Sequence, residues 1–335
     1  VSELRQNILT ENWTVMAPER GRKPAKLIKA NSKDIRDYPE YDESCPFCPG
    51  NEERFPNVIV DEIVDGNGNW LVRTIENKYK IFDDFESCPA EPEPFHKHGV
   101  YSHYKGCGNH YLVIENRVHN RIMGEMEPED IYNIFLSYSK ATNDLKQNPN
   151  NFISVVFKNQ GPSAGGSQPH SHSQIVGSRI VPGWIRSALH AQERYFDTNG
   201  ACPMCALMDY ERSSSERIVA ETDQMMILSP YAASRPYEMW VIPKRHFACY
   251  NEMSELELRD LSAQVKKVLH AYIEKLGNPD FNYFIHSAPN SLSNVPYYHA
   301  YVRIVPRMGT TGGFEMGTRI PVNSVLPEEA AKIFA

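Results

Sequence analysis

Short stretches of alternating polar and apolar residues recur along the chain beside two long stretches with helical spacing. In the heptapeptide HSHSQIV, residues 170–176, the larger polar side chains His170, His172 and Gln174 alternate with the small Ser171 and Ser173, and the apolar pair Ile175-Val176 follows. A strand of period two puts His170, His172 and Gln174 on one face. Residues 126–145, MEPEDIYNIFLSYSKATNDL, place Ile131, Ile134, Phe135 and Tyr138 on one helical stripe. Residues 253–276, MSELELRDLSAQVKKVLHAYIEKL, do the same with Leu258, Leu261, Val265, Val268, Leu269 and Tyr272. Ser254 and Glu257 have the spacing of a reciprocal N-terminal cap, and Gly277 ahead of Asn278-Pro279 is a stop.

These elements come twice in the same order. YLVIENRVH (111–119) and EMWVIPKRH (238–246) each read as a strand closing at a histidine, His119 or His246. Each is followed by one of the two helices. Then come NFISVVFKN (151–159) or FNYFIHS (281–287), a small polar loop, and HSHSQIV or YYHAYVRIV (297–305). His119 to His170 is 51 residues (170 − 119), and His246 to His299 is 53 (299 − 246). In this register His299 matches His170, Tyr301 matches His172 and Arg303 matches Gln174. The pattern predicts two tandem α+β modules, 1–195 and 196–335. Only the first keeps the second histidine.

Composition narrows the class. With 335 residues, 41% hydrophobic and 23% charged, the chain can bury a sizeable core. A formal net charge of −7 argues against a nucleic-acid surface. No apolar run reaches the length of a membrane span. The stretch VSELRQNILTENW lacks the basic-then-apolar layout of an export signal, so a cytoplasmic protein without membrane or nucleic-acid partners is expected.

Four of the seven cysteines form two pairs, CPFC (Cys45, Cys48) and CPMC (Cys202, Cys205), 157 residues apart (202 − 45). Cys88, Cys107 and Cys249 stand alone. The odd count, without an export layout, speaks against a disulfide framework. A thioredoxin-like use would need a βαβ pattern around a pair, and neither has one. Each module instead offers two thiolates and two imidazoles. The first set is Cys45, Cys48, His119 and His170; the second is Cys202, Cys205, His246 and His299. Such donors suit tetrahedral zinc. Four protein ligands leave no open position, so two structural zinc sites are expected, one per module. His96, His98, His103, His110, His190, His270 and His286 have no such pairing and read as surface or satisfied core residues.

His172 remains. A neutral imidazole is nucleophilic near pH 7, provided that one nitrogen is presented while the other keeps its proton on an acceptor. A strand pinned by a metal-bound His170 would supply that orientation. The preceding NQGPSAGGS is rich in glycine, which lets backbone N–H groups approach a phosphate. Ser167 and Gln174 add neutral donors for charge developing on phosphorus. The local sequence also fits a plain glycine-rich turn followed by a surface histidine.

The loop followed by His-x-His-x-Gln resembles the transferase branch of the histidine-triad superfamily. With NWTVMAPERGRKP, CPFCPGNE, VFKNQGPSAGGSQPHSHSQ, CPMC and GGFEMGT, the chain is similar almost end to end to the galactose-1-phosphate uridylyltransferase family, including the related ADP-glucose phosphorylases. The resemblance implies two histidine-triad-like modules, each an antiparallel sheet with packed helices. It implies ping-pong transfer between a nucleotide sugar and a hexose 1-phosphate through nucleotidyl-His172, with Gln174 holding the phosphoryl oxygens. It further implies phosphate contacts from Asn159, Gly165 and Ser167, basic residues Arg20 and Lys23 near the phosphates, a nucleotide contact from Asn77, hexose contacts from Phe314 and Glu315, and a homodimer.

The chain departs from many uridylyltransferases in having Ser171 for proline and Lys78 for aspartate, and from some in its Cys2His2 second metal set. These departures bear on the base. Uridylyl transfer is the first expectation. An ADP-glucose phosphorylase, or a dinucleoside polyphosphate phosphorylase, is the alternative. Gln174 argues against a phosphoramidate hydrolase, which carries a third histidine there. The alternative of another class is a non-catalytic, zinc-stabilised nucleotide-binding protein.

Overall fold

A computed structural model describes residues 1–21, 34–88 and 96–335. Ten strands of the main sheet are labelled in chain order: β1 Ile59–Val64, β2 Trp70–Glu76, β3 Cys107–Ile114, β4 Ile153–Gln160, β5 His172–Ser178, β6 Ile218–Glu221, β7 Met225–Leu228, β8 Met239–Pro243, β9 Phe281–His286 and β10 Tyr301–Pro306. The helices are α1 Pro128–Lys146, α2 Gly183–Asn199, α3 Pro203–Ser214, α4 Glu255–Leu276, α5 Gly313–Thr318 and α6 Pro327–Phe334.

The strand order is β6-β7-β8-β10-β9-β4-β5-β3-β2-β1, all antiparallel. Two half-sheets of like order therefore meet edge to edge. The seam is β4 on β9, where Asn159 faces Asn282 and Phe157 faces Phe284. A separate small sheet joins the chain's ends, with Trp13–Met16 between Glu3–Gln6 and Val322–Asn323.

Both long helices form as their spacing predicts. In α1, Ile131, Ile134, Phe135 and Tyr138 are fully buried. In α4, Ser254 Oγ accepts from the Glu257 N–H, the Glu257 carboxylate accepts from the Ser254 N–H, and Gly277 ends the helix at φ 73°. The apolar stripes of α1 and α4 pack on each other and on one face of the sheet, with Val156, Ile175, Val241, Tyr283, Val302 and Ile304. Each such large buried side chain contributes roughly 1.5–3 kcal/mol. The alternate residues, among them His172, Gln174, Asn159, Asn282 and Arg303, point to the other face.

Three expectations change. The strand predicted over 170–176 starts only at His172, so His170 does not share the face of His172 and Gln174. Likewise His299 precedes β10, while His119 and His246 lie beyond the ends of β3 and β8. Four donors must converge on one point, and a loop can turn a side chain where a pleated strand cannot. Finally, Cys88 and Cys107 are joined as a disulfide. Asp83–Asp84 pairs with Cys107–Gly108, and the turn Phe85–Ser87 then brings Cys88 alongside Cys107. That pairing lies between strands and is invisible in cysteine spacing.

Candidate active site and metal centres

The eight predicted ligands gather as two sets of four, with the donor atoms in each set all within 4.8 Å of one another. In the first, Cys45 Sγ and Cys48 Sγ each lie 3.6 Å from His170 Nδ1, and Cys48 Sγ lies 3.4 Å from His119 Nδ1. In the second, Cys205 Sγ lies 3.6 Å from both His246 Nδ1 and His299 Nδ1. A tetrahedral zinc with ordinary Zn–S and Zn–N bonds requires an S···N edge of about 3.6 Å. Three of the four distal nitrogens agree, His119 Nε2 being buried without a partner. His170 Nε2 donates to Asn116 O (2.7 Å), His299 Nε2 to Pro243 O (2.9 Å) and His246 Nε2 to Val295 O (3.3 Å). With the proton held there, Nδ1 is left as the ligand. Backbone N–H groups of Phe47 and Asp42 donate to the two sulfurs of the first set.

Two residues beyond His170, the His172 ring is buried. Its Nδ1 lies 2.9 Å from His170 O. A carbonyl only accepts, so the proton is on Nδ1 and the Nε2 lone pair is presented. Burial holds the ring's pKa below its ordinary value, with Lys158 adding to the effect, so the imidazole is neutral at pH 7. Beneath the strand, Lys158 Nζ binds Glu115 (2.5 Å), Ser171 Oγ (2.9 Å) and His172 O (3.1 Å), with the Lys158 and Glu115 side chains 1% and 0% exposed. A buried pair so closed fixes the backbone from which His172 projects.

The loop from β4 to β5 is shaped by the second half of the chain. Gly161 adopts φ 84° and ψ 162°, and a Cβ there would lie 1.9 Å from the Asp280 carboxylate. That carboxylate accepts from Ser163 N (2.7 Å) and Ser163 Oγ (2.6 Å). Asn282 Nδ2 donates to Asn159 Oδ1 (2.7 Å) and Ala164 O (2.9 Å), while Asn282 Oδ1 accepts from Arg307 Nε (2.5 Å). Gly165, at φ 85°, approaches the Asn159 amide. Burial, then the charges of Arg235 and Arg303, lowers the Arg307 pKa. An anion would relieve that crowding of cations.

On the far side of β5, Gln174 Oε1 lies 2.8 Å from His110 Nε2, and Asn77 Nδ2 lies 3.2 Å from His110 Nε2 and 3.4 Å from its Nδ1. The structure thus brings together His172, Gln174, Asn159, Gly165 and Asn77. Ser167 lies on the loop between Gly165 and His170. Glu315 is tied to Arg235 (2.9 Å) and reaches the cluster only through that charge. Phe314 is exposed on α5, and Arg20 is exposed on the turn Pro18–Arg20. Lys23 lies outside the described residues. Sequence reasoning missed His110, Asp280, Asn282 and Arg307. His110 does alternate with Leu112 and Ile114 along β3, but only the pairing of β3 with β5 gives that alternation a site to face.

Comparison with known proteins follows the same outline. Residues 1–182 match the galactose-1-phosphate uridyl transferase N-terminal domain, and residues 188–332 match its C-terminal domain. The chain is 33% identical to ADP-glucose phosphorylase of Arabidopsis thaliana over 99% of its length and 92% of that protein. It is 28% identical to galactose-1-phosphate uridylyltransferase of Thermotoga maritima over 98% and 96%. The crystal structure of the Arabidopsis thaliana ADP-glucose phosphorylase with bound ADP-glucose superposes with a TM-score of 0.84 at 31% identity, covering 100% of this chain and 98% of that one. A uridylyltransferase structure has the same fold, with a TM-score of 0.74 at 22% identity over 100% and 97%. The chain belongs to the galactose-1-phosphate uridylyltransferase family of nucleotidyltransferases.

Proposed function

We propose that the protein transfers a nucleotidyl group from a nucleotide sugar to a phosphorylated acceptor by way of His172. The observation that carries this reading is the buried His172 ring with Nδ1 committed to His170 O, which presents Nε2. In the first step Nε2 attacks the α-phosphorus, a P–N bond forms, the P–O bond to the β-phosphate breaks, and hexose 1-phosphate leaves. In the second step an acceptor oxygen displaces the histidine. The Gln174 amide and the loop at Asn159, Gly165 and Ser167 bind the phosphoryl oxygens, and Asn77 contacts the nucleotide. Zinc in the first Cys2His2 site keeps the His170 segment in place, and zinc in the second holds the His299 segment of the other half.

On the base, identity to the Arabidopsis ADP-glucose phosphorylase, 33%, exceeds the 28% to the Thermotoga maritima uridylyltransferase. This puts adenylyl transfer from ADP-glucose to phosphate ahead of the uridylyl transfer expected first. The uridylyl reading rests on the family match and the Thermotoga maritima relative.

Intact-protein mass after separate incubation with ADP-glucose, UDP-glucose and UDP-galactose, without acceptor, tests both. The expected result is an adenylyl adduct on His172 that is absent from folded His172→Gly. A uridylyl adduct selects the second reading. Unchanged mass with all three donors, in folded zinc-loaded protein, refutes transfer and favours a nucleotide-binding role.

A further inference from the structure

We infer that His110 is a positioning residue that sets which end of the Gln174 amide faces the phosphoryl group. The inference rests on the proposed transfer through His172. The Ile81 N–H lies 3.3 Å from His110 Nδ1. A backbone N–H only donates, so Nδ1 is the acceptor and the ring proton is on Nε2. That N–H points at Gln174, 2.8 Å away, and must meet an acceptor. The amide is thereby fixed with Oε1 toward His110 and its NH2 as the free end. A flipped amide would set two donors against each other and present a carbonyl oxygen to an anion. Burial, with help from Lys80, lowers the His110 pKa, which keeps the ring neutral.

The second half repeats the arrangement with other chemistry. Gln174 is paired with Leu112, and His110 is two residues earlier on the same strand. Arg303 is paired with Trp240, and Glu238 is two residues earlier. Glu238 Oε1 accepts from Arg303 Nε at 2.7 Å. The same diagonal position, on the neighbouring strand for His110 and immediately before it for Glu238, thus binds the head group in both halves. In the second half it consumes the arginine in an ion pair. In the first it leaves one end of the amide unused.

The test is the single-turnover rate of nucleotidyl adduct formation, with ADP-glucose and with UDP-glucose. The variants are His110→Phe, His110→Gln, Gln174→Ala and the double variant His110→Phe/Gln174→Ala, with melting temperature as the check on folding. His110→Phe keeps the ring volume without the donor and is expected to slow adduct formation about tenfold to a hundredfold. His110→Gln retains an N–H donor and is expected to stay within about threefold of wild type. In the Gln174→Ala background, His110→Phe is expected to add less than about twofold, because the two residues act as a unit.

A wild-type rate for His110→Phe, equal slowing by Phe and Gln, or additive losses in the double variant would overturn this role while leaving transfer through His172 intact. If His110→Phe is poorly folded, the Gln variant and the double variant still decide. Absence of any adduct on the wild-type protein would remove both the transfer reading and this role with it.

Discussion

His286 shows what burial does to an imidazole that has no chemistry to perform. It stacks on Tyr301 at 4.4 Å between ring centroids, Trp184 meets it edge-on, and its Nε2 is buried without a partner. Burial, then the charge of Arg303, pushes its pKa down to about 3. In the unfolded chain the value is about 6.5. Above that pH both states are neutral. As the pH falls from 6.5 toward 3, the unfolded state takes up a proton that the folded state refuses. Stability is lost over that window, by up to about 1.4 kcal/mol per pH unit. His286→Phe keeps a ring on Tyr301 and removes the titration, so its melting temperature should fall less than wild type between pH 6.5 and 4. Parallel curves for the two proteins would contradict the assignment. His172 and Gln174 were legible at this scale because their types and spacing sit in one heptapeptide. His110 and Arg307 were not, since their partners come from strands far away in sequence.

At the scale of elements, helices α1 and α4 were legible to within two residues at either end, since a 3.6-residue period is a local property. Strand limits were less so. His170 and His299 read as strand residues by alternation, yet they lie just outside the sheet, gathered with two cysteines and a second histidine each. The β4–β5 loop shows most clearly what a local reading leaves out. Its glycines were visible, but the carboxylate that Gly161 must avoid belongs to Asp280, which is 119 positions later (280 − 161). Gly161→Ala meets both that carboxylate and a backbone region that side chains rarely enter, a cost of about 1–3 kcal/mol. The variant is expected to melt several degrees lower and to lose nucleotidyl transfer more than tenfold, as measured by adduct formation. Wild-type transfer in Gly161→Ala would mean that the loop's shape is not set here.

Across the whole molecule, the internal repeat was legible from cysteine and histidine spacing, whereas the single continuous sheet was not. Among the described residues, no helix is long and apolar enough to cross a membrane. The two Cys2His2 groups add a test at this scale. Each of the two Cys2His2 clusters draws a pair from before one long helix and its last histidine from after it, so loading is coupled to folding. Stripping the ions with a chelator should lower the melting temperature by well over 5 °C, and readdition of zinc should restore it with two ions per chain by elemental analysis. An unchanged melting temperature would show that neither cluster holds a structural ion.

The seam between Asn159 and Asn282 binds the two halves in unequal ways. Parted there, the half that owns His172 would present Ile153–Gln160 as a bare sheet edge, ready to pair with other chains. Its glycine loop would also lose Asp280, Asn282 and Arg307. The half with Tyr301 where the other has His172 acts as a mould: its Asp280 and Asn282 set the shape of its twin's loop. The second half is therefore not a spare copy of the first. Damage to the silent copy would surface as damage to the working one.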